Sequence, residues 1–181
     1  MQYREMLNSN KYSREDAIKY ALEYGLKPNP SYKYFKVQGD GGGDCSNFIS
    51  QCLRAGGAPM DYNGPWSWWY NTSTGKSDEH RWSVTWAVAH SLYWCLKSRH
   101  RLGLKGLIAV EVPELNMLEL GDIIQYENAS EKIYHSAIIT SFKERKDIRE
   151  PLITQHSYDA VNTAFLKPKA TKMHLMKIVV L

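Results

Sequence analysis

Apolar residues recur at helical spacing in three segments of the first half of the chain. The first segment predicts an amphipathic helix over residues 14–24. The second predicts a buried helix that begins after Asp44 and ends at Gly56. The third predicts one helix that starts at Ser83 or Thr85. The buried stripe of the second helix comprises Cys45, Phe48, Ile49, Cys52 and Leu53.

The pattern changes from helical to extended at about Leu107. Four apolar segments after this point predict strands, at residues 123–126, 133–140, 152–157 and 173–181. Helices followed by strands indicate an α+β domain in which the N-terminal helices, including the one that begins at Cys45, pack on an antiparallel sheet.

The 181 residues fit a single domain, with residues 1–12 as a loose N-terminal extension. Composition is ordinary for a globular chain, with 43% hydrophobic and 23% charged residues. The net charge of +4 without a run of basic residues argues against a nucleic-acid partner. No stretch predicts a membrane span or a signal peptide. The chain is therefore expected to be cytoplasmic, or extracellular or cell-wall-associated if it is cut from a longer secreted protein.

Cys45 stands where a cysteine nucleophile is expected. It follows the glycines at 41–43 and the capping residue Asp44, in the first turn of a buried helix whose positive dipole end favours a thiolate. We therefore expect a thiol pKa well below the ordinary value of about 8.5. The alternative is a core cysteine, the better interpretation for Cys52 and Cys95. No cysteine or histidine spacing predicts a metal site.

A histidine base can be sought among the strands. His135 opens a strongly apolar strand, and His156 lies near the end of the next one. If these strands pair as an antiparallel hairpin, one imidazole can act as general base for Cys45 while the other orients it.

Aromatic residues dominate the segment between the second and third helices. Trp66, Trp68, Trp69 and Tyr70 cluster in a long loop of residues 58–80, where they can line a cleft for a peptide or sugar. The alternative is that these rings simply cover the core.

Two sets of motifs resemble known proteins. Asp44-Cys45-Ser46 at a helix start, with Leu-Gly-Asp-Ile-Ile from Leu120 and His-Ser-Ala-Ile-Ile from His135, resembles the papain-like NlpC/CHAP superfamily of cysteine peptidases and amidases. The longer string from Gly42 to Leu53, together with Pro-Leu-Ile-Thr-Gln-His-Ser-Tyr-Asp near the end, more closely resembles the bacterial putative amidase domain family.

The resemblance implies a papain-like α+β fold and a catalytic triad. It implies Cys45 as nucleophile, His135 as general base and acid, and His156 as the residue that orients His135. Gln155 and Asp159 compete for the third role, and strand alternation allows only one of Gln155 and His156 to face the site.

Other positions are expected around this triad. The Cys45 backbone N–H and a polar side chain such as Tyr34 would form the oxyanion hole. Asp44, Ser46, Trp66 and Trp69 are expected to line the substrate cleft. Asn47 replaces the glycine usual in NlpC-like domains.

The function implied is hydrolysis of amide bonds through a thioester, in peptide or peptidoglycan-like cell-wall substrates, without metal or organic cofactor. Two alternatives stay open. One is an acyl transferase that uses the same Cys-His site, and the other is a non-catalytic binding module that uses the Trp66–Tyr70 aromatic loop. The sequence leaves the oligomeric state undetermined.

Overall fold

The computed structural model describes residues 11–37, 42–72, 79–145 and 148–181. Residues 1–10, within the predicted N-terminal extension, and Gly41 of the glycine loop lie outside this range. The described helices are α1 (Arg14–Tyr24), α2 (Cys45–Ala55), α3 (Val84–Ala87) and α4 (Ala89–Arg101), with a 3₁₀ turn at Leu115–Met117. The described strands are β1 (Tyr70–Thr72), β2 (His80–Trp82), β3 (Leu107–Val112), β4 (Ile123–Glu127), β5 (Ile133–Arg145), β6 (Ile148–Gln155), β7 (Ala160–Ala164) and β8 (Lys172–Val180).

Strands β3 to β8 form one antiparallel sheet in the order β3-β8-β4-β5-β6-β7. Strands β1 and β2 pair separately as a short antiparallel ribbon. The predicted α+β class with an antiparallel sheet is therefore confirmed.

The sheet has a buried cluster on each face. One cluster joins it to α1, α2 and α4, whose fully buried residues include Phe48, Leu53 and Leu92. The other cluster includes Tyr126, Ile139 and Phe165.

Within the described ranges, no helix has the length and apolar character needed to cross a membrane.

The first two predicted helices are confirmed, and local chemistry explains their ends. Ser13 Oγ accepts a hydrogen bond from Asp16 N at 3.3 Å, which satisfies one free N–H group at the start of α1. Helix α2 ends before Gly57, whose φ of +92° suits glycine. The prediction of one helix from Ser83 was wrong, because Val88 is extended (φ −112°, ψ 124°) and separates α3 from α4.

The aromatic segment and the C-terminal half contain more strands than predicted. The segment 58–80, expected to be a loop, contributes β1 and one residue of β2. Strand β3, which pairs with β8 at one edge of the sheet, was also missed, and so was β7. Strand β7 pairs with β6 at the other edge of the sheet, and its burial pattern shows no apolar alternation.

The segment before β4 anchors α1 to the sheet. Asp122 is fully buried, and its carboxylate accepts hydrogen bonds from Arg14 Nη1 at 2.7 Å and from the backbone N–H of Ile178 at 2.9 Å. The neighbouring Gly121 has a φ of +81°, and its carbonyl accepts a hydrogen bond from the Tyr12 hydroxyl at 2.9 Å. The Leu-Gly-Asp motif thus joins α1 to the sheet.

Candidate active site

Cys45 is the first residue of α2, as the sequence predicts. The residue retains 8% of its accessible surface, whereas Cys52 and Cys95 retain none. All three cysteines are free. Cys45 is therefore the cysteine that a reagent or substrate reaches most easily in the folded chain.

The environment of the thiol differs from the one expected. Burial raises the pKa of Cys45, and hydrogen bonds from the Ser46 hydroxyl and the backbone N–H groups of Ser136 and Ser46 offset only part of this rise. The predicted low pKa was wrong, because removal of the thiolate from water outweighs the dipoles at the helix start. Cys45 is a neutral thiol at neutral pH.

The contact with Ser136 brings β5 to the nucleophile. Its backbone N–H donates to the Cys45 sulfur, and its hydroxyl lies 3.3 Å from Ser46 Oγ. His135 directly precedes Ser136, so its backbone adjoins the nucleophile, but successive side chains of a strand point to opposite faces and no described contact joins the His135 ring to the Cys45 sulfur.

His135 is held by Gln155. Its Nε2 lies 2.9 Å from Gln155 Oε1, and Gln155 Nε2 donates to the Tyr158 carbonyl at 2.9 Å. The second hydrogen bond fixes the orientation of the amide, so its oxygen faces the imidazole. A neutral His135 must then carry its proton on Nε2, which leaves Nδ1 as the basic nitrogen.

His135 is neutral at physiological pH. Burial lowers its pKa to about 4, because the hydrogen bond to Gln155 only partly compensates, and the positive charge of Lys167 lowers the pKa further. Cys45 and His135 therefore form a neutral thiol and a neutral imidazole rather than an ion pair.

His156 has a different set of partners from the one expected. Its Nδ1 lies 2.6 Å from Asp44 Oδ2, and its Nε2 lies 2.7 Å from the Tyr24 carbonyl oxygen. Both ring nitrogens are thus engaged, and the ring stacks on Phe48 at 4.0 Å between centroids. Because successive side chains of β6 point to opposite faces, Gln155 faces His135 and His156 faces α2.

The contact with Asp44 favours the protonated form of His156. Burial by itself lowers the pKa of His156, but the Asp44 carboxylate and the Tyr24 carbonyl outweigh this effect and raise the pKa above its ordinary value. Both side chains are at least 98% buried. This contact thus connects the residue before Cys45 with the residue after Gln155.

Asp44 does not cap α2 with its side chain, although its carbonyl accepts the first helical hydrogen bond, from Phe48 N at 2.8 Å. Its second carboxylate oxygen accepts hydrogen bonds from Phe35 N and from Asn47 Nδ2. Asn47 Oδ1 in turn accepts from Trp86 Nε1 at 2.8 Å. Asn47 therefore fixes Asp44 and the preceding segment, a role that glycine at this position would not fill.

The structure also explains why the residue directly before Asp44 is a glycine. A side chain at Gly43 would overlap the Ser157 hydroxyl, which accepts a hydrogen bond from Asp44 N at 2.7 Å. Gly43 thus makes room for the turn after β6.

Sequence reasoning missed a polar side chain behind the site. Gln125 on β4 donates to Ser136 Oγ at 3.0 Å and to the Ala89 carbonyl at 3.2 Å. Its Oε1 is the one buried side-chain oxygen or nitrogen without a hydrogen-bond partner among the described residues. In the sequence, Gln125 is a polar residue among the apolar positions of the strand predicted at residues 123–126. This was the signal that could have identified it.

The other expected site residues are spread around this centre. The Tyr34 ring lies edge-on to His156, with centroids 5.8 Å apart, and burial and the charges of Asp159 and Asp44 raise the pKa of its phenol. Asp159 accepts a hydrogen bond from Ser157 N at 3.1 Å, which stabilises the turn after β6. No described hydrogen bond joins Asp159 to His135.

The two tryptophans expected in the cleft have separate surroundings. Trp66 is half-buried against the helical core, and its carbonyl accepts a hydrogen bond from Arg99 Nη1 at 3.0 Å. Trp69 stacks on Tyr62, with centroids 5.5 Å apart. Their role in a substrate cleft stays a prediction.

Across the described ranges, no cluster of three His, Cys, Asp or Glu residues could hold a metal ion.

The chain matches known proteins over most of its length. Residues 11–179 match the family model described as "Putative amidase domain". The chain is 36% identical over 151 residues to the uncharacterized protein YhbB of Bacillus subtilis (strain 168), which covers 82% of this chain and 42% of YhbB. It is 54% identical over 48 residues to the uncharacterized protein YjcM of the same organism, which covers 26% of this chain and 10% of YjcM.

The chain thus aligns with less than half the length of either relative. No solved structure matches it. The family match extends from Lys11, just before α1, to Val179 in β8, and so includes all the elements that position Cys45, His135 and Gln155. The chain therefore belongs to the putative amidase domain family.

Proposed function

We propose that this chain is a cysteine amide hydrolase with a papain-like, NlpC/CHAP-type site, in which Cys45 is the nucleophile, His135 the base and Gln155 the residue that orients His135. The observation that carries the proposal is the hydrogen bond between His135 Nε2 and Gln155 Oε1. It leaves the basic nitrogen free for a proton from the thiol that contacts the neighbouring Ser136.

The first step is acylation. Sγ of Cys45 attacks the amide carbonyl carbon while its proton passes to Nδ1 of His135, since both groups are neutral beforehand. The tetrahedral intermediate collapses when the C–N bond breaks. His135 returns the proton to the leaving nitrogen, and an amine departs and leaves a thioester on Cys45.

The second step is deacylation. His135 removes a proton from a water molecule, whose oxygen attacks the thioester carbonyl, and the C–S bond then breaks. The sulfur takes the proton back from His135, and a carboxylic acid leaves the site. The chemistry uses side chains of this chain and water, and needs no metal or organic cofactor.

Two donors are assigned to the oxyanion that forms in each step. The Cys45 backbone N–H lies at the start of α2, where helix N–H groups lack intrahelical acceptors, and no described hydrogen bond uses it. The Tyr34 hydroxyl is the second donor. Its raised pKa keeps it protonated at neutral pH, as a hydrogen-bond donor must be.

The proposed substrates are peptides or cell-wall peptides with a scissile amide. The support for this class is the family match, together with the resemblance of the Asp44-Cys45-Ser46 and His135-Ser136 motifs to the NlpC/CHAP superfamily.

The test is cleavage of a panel of peptides and peptidoglycan fragments, followed by mass spectrometry of the products. Cys45→Ala is expected to abolish cleavage, and His135→Ala to reduce kcat by at least about 100-fold. His100→Gln, at an exposed histidine near the end of α4, is the matched control and should be fully active. Intact-mass analysis should detect the acyl group on Cys45.

Different results would support the alternatives. Transfer of the acyl group to an added amine in place of water would identify an acyl transferase. Ligand binding that survives Cys45→Ala, without any cleavage by the native chain, would identify a binding module and overturn the proposal.

A further inference from the structure

Lys167 lies in the connection between β7 and β8, and its placement is unusual for a lysine. Its side chain is half-buried, and burial lowers the pKa of its ammonium group. Among residues 11–37, 42–72, 79–145 and 148–181, no side chain or carbonyl forms a hydrogen bond or ion pair with it. A partly desolvated cation without an anionic partner is costly, so a ligand that brings a negative charge would be stabilised there.

The connection that carries Lys167 is attached beside His135. The Phe165 carbonyl accepts a hydrogen bond from the Tyr126 hydroxyl at 2.7 Å, and the Tyr126 ring lies 5.6 Å from the His135 ring. Two residues after Phe165, Lys167 is close enough for its charge to act on His135. The cation therefore lies near the proposed base, His135.

A small cavity opens at Lys167. Its volume is about 140 Å³, and its lining comprises Leu166, Lys167, Ala170, Thr171, Lys172 and Met173. Two of these six side chains are cationic, and none is acidic. The volume is well below the 300–1,000 Å³ or so of a complete ligand site, but it is enough for a carboxylate and the carbons that carry it.

We propose that Lys167 binds a carboxylate of the substrate close to the scissile amide, which makes it a specificity-determining residue. This inference rests on the proposed function, because it assigns the preference of the same site. A carboxylate is the anionic group that peptides carry, either at the C-terminus or on an acidic side chain. The preferred substrates are thus amides with a free carboxylate a few bonds from the cleaved bond.

The test compares two alkylating reagents that differ in charge, iodoacetate and iodoacetamide, in their rates of reaction with Cys45. Mass spectrometry of the digested protein measures both rates at constant pH and low ionic strength. Lys167→Gln should lower the ratio of the iodoacetate rate to the iodoacetamide rate by roughly five-fold, the effect of one charge at close range in a partly desolvated site. Lys167→Arg should keep the ratio.

Lys19→Gln is the control, because it removes the same charge from an exposed position on α1. An equal change in the ratio for Lys19→Gln and Lys167→Gln would overturn the inference. The proposed function would survive that result if Cys45 is still alkylated selectively and His135→Ala still removes cleavage. If no peptide is cleaved, the proposed function fails, whereas the reagent ratio still reports on Lys167.

Matched peptides then identify the source of the carboxylate. One pair carries a C-terminal carboxylate or carboxamide, and another carries Asp or Asn next to the scissile bond. For one of the two pairs, the native protein should have a higher kcat/KM for the acidic peptide than for its neutral counterpart. Lys167→Gln should remove this difference. An equal preference in native protein and in Lys167→Gln would contradict the assignment.

Discussion

Asp44 Oδ2 lies 2.6 Å from Nδ1 of His156, although the two residues are 112 positions apart in the chain. Each is the direct neighbour of a residue assigned to catalysis, since Asp44 precedes Cys45 and His156 follows Gln155. The pair therefore fixes the distance between the start of α2 and the end of β6. We regard it as the structural connection that holds the nucleophile and the orienting residue in register.

Breaking this pair should destabilise the chain in a pH-dependent way. His156→Gln leaves the Asp44 carboxylate buried without its cation and is expected to cost about 3 kcal/mol in the free energy of unfolding. Because the folded pKa of His156 is raised, its contribution is complete below its ordinary value of 6.5 and is lost as pH rises through the folded pKa. Urea unfolding at pH 6 to 9 measures both effects.

The native chain should therefore lose stability across this range, while His156→Gln should show a weaker slope. His100→Gln removes an exposed histidine and should reproduce the native slope. An unchanged slope in His156→Gln would mean that the pair with Asp44 is not charged.

The loss of activity at low pH should reflect protonation of His135. Its pKa of about 4 means that the neutral base persists to low pH, so kcat/KM should fall only as pH drops toward that value. Gln155→Glu places a carboxylate against Nε2 and should move the acid limb upward by one unit or more. Gln155→Leu should lower kcat by about 100-fold, because the tautomer is no longer fixed.

Cleavage of one peptide from pH 3.5 to 9 measures these profiles. Asp159→Asn, at an exposed position in the adjacent turn, is the control. The midpoint pH of its acid limb should stay within a few tenths of a unit of the native value. An acid limb that stays in place in Gln155→Glu would contradict the assigned role of Gln155.

The three cysteines should differ in their reaction with iodoacetamide. In the folded chain Cys45 should react at least about ten times faster than Cys52 and Cys95, because only Cys45 retains exposed surface. Since burial raises its thiol pKa, its rate should continue to rise above pH 9, without the plateau of an activated thiolate. Peptide mapping after timed labelling gives the rate of each residue.

Unfolding in guanidinium chloride should make the three rates similar, which separates accessibility from intrinsic reactivity. A plateau in the Cys45 rate below pH 7 would show instead that the thiol and His135 form an ion pair in solution.

The buried anchor before β4 should be important for stability. Asp122→Asn removes the charge that pairs with Arg14 and weakens the hydrogen bonds from Ile178 N and Glu119 N, so a loss of about 3 kcal/mol is expected. Glu15→Gln is a matched control, because it removes one carboxylate charge from an exposed position on α1. Its cost should stay below about 1 kcal/mol in urea unfolding.

Local patterns in the sequence determined the two N-terminal helices and the place of Cys45. The stripe in α2, the cap at Ser13 and the glycines after Ala55 each act within a few residues, so periodicity is enough to predict them. The pattern also predicted the antiparallel sheet and His135 on a strand within it. Strand β7 escaped prediction because an edge strand need not bury a regular apolar face.

The tertiary structure decided which residues meet. The sequence left Gln155, His156 and Asp159 as competitors for one role, because alternation along β6 shows only that Gln155 and His156 face opposite ways. Because α2 packs against one face of the sheet, His156 on that face contacts Asp44, and Gln155, which points the other way, contacts His135. Burial at that same junction raised the thiol pKa, and burial is a property of the whole fold that no local pattern contains.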